Sequence, residues 1–257
     1  MNKLSKKEII SSTAKSLFGA VPFGGALLDE LFFEYNGRIK QKRLNNFVEI
    51  LAENFTEESK INIDNIKTED FNDLFESVLR RVVQTKSELK LKRFKDILIK
   101  ELNSPTEQTE LVELYLDLIS SLSEEELSIL YHHRFFDNEY EDEIDKLNKL
   151  RDKLNSIKEK QKRETLVING SKYADEKSET ENGISEINNW LEPLKKYKSA
   201  EFYDLSENRF MFFKQRLFSK GLLVDNVRNR ISGGTFQNMG ITEFGVEFIE
   251  FKQTLEK

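Results

Sequence analysis

A chain of 257 residues, 38% hydrophobic and 33% charged, has the length and apolar content to bury a core and is not a disordered polymer. Having no cysteine, it carries neither disulfide staples nor a thiolate-built zinc site, which fits a reducing cytoplasm. A net charge of −6 argues against general coating of nucleic acid, while leaving room for a local basic patch.

Only eleven glycines and three prolines, set among many Leu, Ile, Lys and Glu, predict a mainly α chain. Residues 3–18 read as a first helix, with Leu4, Ile9, Ile10, Ala14, Leu17 and Phe18 at helical spacing, broken by Gly19 and Pro22. The start is basic, but Glu8 and Lys15 interrupt any apolar core, so no export signal is read. Residues 16–28 carry no charge, and three glycines and a proline fall within seven positions there. A membrane-spanning helix needs about 20 apolar residues, so this run is too short to cross a bilayer, and it meets Asp29 and Glu30. Three readings stand for Leu17, Phe18, Val21, Pro22, Phe23, Gly24, Gly25, Leu27 and Leu28: a lipid-docking element, a tight helix–turn–helix corner, or a self-association surface.

A long second helix is expected from about Gly25 to about Phe55, with a polar middle that can bend at Gly37. Residues 61–70 alternate briefly and suggest a short extended piece. Residues 71–104 read as a helical hairpin ending before Pro105, and residues 109–122 supply another helix. Ser123 and Glu126 have the spacing of a capping box. Residues 137–165 continue as a charged arm in which Ile144, Leu147, Leu150, Leu154 and Ile157 recur at three and four. Residues 165–183 lose the pattern and carry the turn pair Asn169-Gly170, so they read as the loop at the arm's tip. Helix returns from Ile184, with Ile187, Trp190, Leu191 and Leu194 on one side.

Residues 205–226 form an amphipathic helix stopped at Gly221 and followed by a strand. Gly233-Gly234 is the turn between two short strands, and a final helix opens at Thr242. The order helix, helix, helix, hairpin, helix is that of a winged-helix module. The expected architecture is an N-terminal helical bundle over residues 1–121 and a C-terminal winged-helix-like domain over residues 122–257, with the charged helical arm inserted at about 137–182.

Between residues 204 and 234, Arg209, Lys214, Arg216, Lys220, Arg228 and Arg230 outnumber Asp204, Glu207 and Asp225. This small positive excess makes the module a candidate duplex reader, and the phenylalanines of the same helix make it a candidate protein-docking or dimerisation surface. His132 and His133, the two histidines, point about 100 degrees apart on a helix and cannot both grip one metal from a single face. The acidic run at 137–145 lacks the mid-loop glycine and spacing of a calcium loop. No phosphate loop, nucleophile elbow or zinc spacing is present, so no catalytic, cofactor or metal residues are assigned and the expectation is a protein that is not an enzyme.

The corner LFGAVPFGGALLDELFFE with the basic stretch and RLNNFVEILAENF after it, together with the terminal GLLVDN and GITEFGVEFIEF, resembles the bacterial Abi-alpha family of abortive-infection proteins. The resemblance covers about residues 10–60 and 120–255. In that family a hydrophobic-Thr-x-x-Gly-x-x-Phe ending, here Ile241, Thr242, Gly245 and Phe248, closes a winged-helix-like unit. The resemblance implies antiphage defence, with growth arrest or membrane damage as the toxic outcome, and brings no catalytic residues. It implies an effector or sensor, cytoplasmic or peripheral to the inner membrane, that acts through membrane engagement or self-association of the apolar corner. Partners would be further copies of the chain or a protein from a defence operon. The alternatives are a winged-helix DNA-binding regulator and a scaffold subunit of a multi-protein defence complex.

Overall fold

The computed structural model describes residues 38–52, 63–164, 173–225, 236 and 239–255; the apolar run at 16–28, the first helix and the pairs Asn169-Gly170 and Gly233-Gly234 lie outside them. Among the described residues the chain is mainly α, with nine α-helices and one two-stranded sheet. It divides into two compact units: one takes the described residues up to Leu122 and from Glu250 onward, the other runs from Ser123 to Ile249. No helix among the described residues is long and apolar enough to cross a membrane.

The first unit holds α1 (Arg38–Ala52), α2 (Glu69–Val82), α3 (Glu88–Asn103) and α4 (Thr109–Ser121). Helix α2 buries Phe71, Leu74, Phe75, Val78, Leu79 and Val82, a stripe that recurs every three or four residues. Each large side chain so buried contributes about 1.5–3 kcal/mol, and the stripe holds α2 against α1, α3 and α4. Thr68 and Ser87 cap α2 and α3 by accepting from Phe71 N and Lys90 N. At the last turn of α2, the Arg43 guanidinium donates to Val83 O at 2.9 Å. Phe251, from the chain's last helix, places its ring 4.4 Å from that of Tyr115.

One expectation in this unit is corrected. The stretch expected to be extended contains a 3₁₀ helix, Ile63–Lys67. The Thr68 hydroxyl donates to Asn65 O at 2.8 Å while capping α2, and the Asn65 amide donates to Leu102 O at 2.7 Å. Local side-chain bonds of this kind outcompete a strand that has no partner.

The second unit begins with α5 (Glu124–His133), α6 (Asn138–Glu164) and α7 (Ala174–Lys195). The capping box at the start of α5 is formed: Ser123 Oγ accepts from Glu126 N, and Glu126 accepts from Ser123 N. Helices α6 and α7 pack on one another through Tyr140, Leu147 and Leu191, with Ile144, Ile184, Ile187 and Leu194 around them. Here the expected loop is corrected over residues 174–183, which are the first turns of α7. Polar as they are, they pack against α6: Thr180 is buried and donates to Glu176 O at 2.7 Å, and Gly183 lies beside Leu150. The pairs Lys153–Glu176 and Lys177–Glu181 line the exposed side.

After two 3₁₀ turns, Lys196–Lys198 and Glu201–Tyr203, come α8 (Glu207–Ser219), β1 (Leu223–Asp225), β2 (Met239–Ile241) and α9 (Glu243–Leu255). Gly221 ends α8 with a φ of 72°, a left-handed conformation that glycine adopts without strain, and its N–H donates to Phe218 O. The strands pair antiparallel with Leu223 opposite Ile241 and Asp225 opposite Met239.

Candidate functional site

Helix α8 is where the expected basic surface falls. Its inward stripe is Phe210, Phe213 and Leu217, and Lys214 lies on the same stripe, four residues after the first and three before the last. Lys214 is accordingly only 2% exposed, with its ammonium 4.6 Å from the centre of the Phe210 ring. Burial depresses its pKa to about 8, and the neighbouring Lys198 pushes the same way. Arg216 is committed differently: its guanidinium sits 3.1 Å from Glu126 Oε2. Glu126 is fully buried, and the same oxygen also accepts from Ser123 N at 2.8 Å. Arg216 therefore neutralises an interior carboxylate, which is costly to leave alone.

Of the remaining candidates, Arg209 is exposed and lies 3.8 Å from Glu125, and Lys220 is half-buried at the end of α8. Arg228 and Arg230 lie outside the described residues, as do Leu17, Phe18, Val21, Pro22, Phe23, Gly24, Gly25, Leu27 and Leu28. Beside the exposed Glu207, Asn208, Arg209, Gln215 and Ser219, α8 and the strand after it present large apolar groups outward: Phe212 is 52% exposed, Phe218 42% and Val224 42%. The outward face thus offers two phenyl rings, with the Arg216 guanidinium 5.9 Å from the centre of the Phe212 ring, and few of the free cations that a duplex reader needs.

The two histidines diverge as adjacent helical residues must. His133 is buried, its Nδ1 donates to Ile129 O at 2.8 Å, and its ring meets Phe136 edge-on. Burial lowers its pKa to about 3, so the ring is neutral. His132 instead stacks on Tyr197 at 4.4 Å and meets Phe202 and Tyr131 edge-on. Partial burial lowers its pKa too, and the Arg134 guanidinium sits 3.9 Å from the centre of the Tyr131 ring. No group of three or more His, Cys, Asp or Glu among the described residues is placed to hold a metal. The half-exposed Phe202 makes this cluster a second apolar surface feature of the unit. Residue spacing did not disclose it, because Tyr197, Phe202 and Tyr203 reach His132 from 3₁₀ turns; the only signal was aromatic density in YHHRFF and KYKSAEFY.

The hydrophobic-Thr-x-x-Gly-x-x-Phe ending has a mechanical reading. The Thr242 hydroxyl accepts from Gly245 N at 2.9 Å, which caps α9, and it donates to Gly221 O at 2.7 Å. Thr242 N donates to Leu222 O at 3.1 Å. Ile241 and Phe248 are buried, and Gly245 is buried beside Leu222. These four residues thus tie the end of α8, β2 and the start of α9 together. Compared with family models, curated proteins and solved structures, the chain matches none.

Proposed function

We propose that this chain is a non-enzymatic component of bacterial antiphage defence that works by protein contact, its second unit being a winged-helix-like module that docks another copy of the chain rather than a duplex. The defence context rests on the resemblance of the apolar corner and of the Ile241–Thr242–Gly245–Phe248 ending. The observation that carries the docking reading is the disposition of α8: Lys214 is buried and Arg216 is held by Glu126, while Phe212 and Phe218 face out. Sedimentation velocity tests it. Wild type is expected to self-associate with rising concentration, and Phe212→Asp combined with Phe218→Asp to remain monomeric and to lose protection in a phage plating assay. A wild type that stays monomeric, or shifts random duplex DNA in a manner abolished by Arg209→Ala, Arg228→Ala and Arg230→Ala and steeply salt-dependent, favours the DNA-regulator alternative.

A second reading concerns the thirteen uncharged residues 16–28, which would add membrane engagement as the effector step. Leakage of dye from liposomes, caused by wild type and lost in Phe18→Asp plus Phe23→Asp, supports it; equal leakage from both, or none from either, removes it.

A further inference from the structure

The first unit contains a cavity of about 250 Å³ bounded by α2, α3, α4 and the turn joining α3 to α4. Phe71, Leu74 and Val112 give it a hydrocarbon wall. Its polar wall includes Glu101, which reaches the interior because it continues the buried stripe Phe94, Ile97 and Leu98 of α3. Glu101 is 7% exposed. One carboxylate oxygen, Oε2, accepts from Thr106 N at 2.8 Å, and the other, Oε1, is buried without a hydrogen-bond partner. The adjacent cation does not fill it: the Lys100 ammonium lies 4.1 Å from the centre of the Phe251 ring. An acceptor left open in this way is destabilising, more so where the group is charged, and burial raises the Glu101 pKa.

The mouth of the cavity is acidic. Asp70 and Asp73 stand on α2 and Glu110 on α4, all exposed, while Glu113 is already 3.2 Å from Arg81. A buried open carboxylate oxygen behind a ring of carboxylates selects a cation. The hydrocarbon wall argues against a hard metal ion, which would demand oxygen ligands on most sides. The volume lies below the range for drug-sized ligands, so the ligand is small.

We propose that this cavity binds a short aliphatic diamine or polyamine, one ammonium donating to Glu101 Oε1, the methylenes lying on Phe71, Leu74 and Val112, and a second ammonium held among Asp70, Asp73 and Glu110. An ammonium carries three donors and no acceptor, which suits a lining that carries carboxylates and no cation of its own. The binding is independent of the self-association of the second unit, and either stands without the other.

Isothermal titration calorimetry on the full chain tests it, with putrescine, spermidine and n-butylamine as probes. The diamine and polyamine are expected to bind saturably at one site, and n-butylamine more weakly. Glu101→Gln keeps the size and removes the charge, and is expected to lower affinity by at least about tenfold, since a hydrogen bond to a charged group is worth more than a tenfold change. Asp70→Asn with Asp73→Asn changes only exposed residues, keeps the fold, and is expected to weaken the diamine more than n-butylamine; it decides the matter if Glu101→Gln fails to fold. Glu107→Gln, exposed and outside the cavity, leaves affinity unchanged. The proposal is overturned if wild type shows no saturable heat, if both cavity variants bind as wild type does, or if a lysine-containing peptide binds more tightly than putrescine, which would make the occupant a partner protein's side chain.

Discussion

Replacing Gly245 by alanine tests whether the close approach of α9 to the end of α8 holds the second unit together. A methyl group built at this position lies 2.4 Å from Leu222 O, 2.8 Å from Ile241 Cγ1 and 3.2 Å from Thr242 Oγ1. Ile241 can turn its side chain away, but Leu222 O is backbone and cannot. Ordinary contact begins near 3.4 Å, so the carbonyl and α9 must part by about 1 Å. That carbonyl accepts from Thr242 N at 3.1 Å, so the displacement stretches the bond that ties the start of α9 to the end of α8. Forced overpacking costs about 1–3 kcal/mol, and a weakened hydrogen bond adds about 0.5–1.5 kcal/mol. Alanine's helix propensity returns at most about 1 kcal/mol, so Gly245→Ala is expected to lose about 2 kcal/mol net.

Urea unfolding followed by the fluorescence of Trp190 is the assay, because that residue is the chain's single tryptophan and lies in the second unit. The matched comparison is Gly183→Ala, where the added methyl meets only the terminal Leu150 Cδ1 at 3.3 Å. A flexible end can yield, and propensity then dominates, so this variant is expected to be neutral or more stable by up to about 1 kcal/mol. If Gly245→Ala unfolds at the same urea concentration as wild type or above it, the steric argument is refuted.

Three further outcomes follow from the charges inside the second unit. Arg216→Ala leaves the buried Glu126 carboxylate without its counter-ion and is expected to cost about 2–3 kcal/mol by the same urea assay, below the figure for a fully buried pair because Arg216 is a third exposed; an unchanged midpoint would mean that the pair holds nothing. Lys214→Met removes an ammonium whose burial depresses its pKa to about 8, and is expected to raise stability at pH 7; a loss would show that the contact with Phe210 outweighs desolvation. His133, neutral when folded, takes up a proton near pH 6.5 when unfolded, so its stabilisation is complete above pH 6.5 and is lost at about 1.4 kcal/mol per pH unit between there and about 3. His133→Leu is expected to flatten that slope, and an identical pH profile in wild type and variant refutes the assignment.

Features carried by contiguous residues were legible without coordinates. The Ser123–Glu126 capping box, the stop at Gly221 and the opening of α9 at Thr242 each depend on a few neighbouring residues, and each is found as expected. The first turns of α7 were not legible, because Asp175 to Gly183 carry no apolar repeat and meet α6 through Gly183 beside Leu150 and through the Lys153–Glu176 pair. The diamine cavity was illegible for a similar reason: the stripe Phe94, Ile97, Leu98 and Glu101 marks a carboxylate as inward, but only the folded α2 and α4 place an apolar wall beside it.

Lys214 is a different case, since its spacing from Phe210 and Leu217 already placed it on the apolar stripe, and counting basic residues along the chain hid this. Charge excess is a property of composition, whereas a phosphate meets only the cations that a helix leaves in water. Once Lys214 is taken inside and Arg216 is bound to Glu126, the described part of α8 keeps Arg209 as its exposed cation, and that one lies near Glu125. Non-specific duplex binding draws its free energy from several released counterions at once, and one exposed arginine beside a carboxylate supplies little of that. The phenyl rings of Phe212 and Phe218, by contrast, stay in water at a cost that protein contact removes.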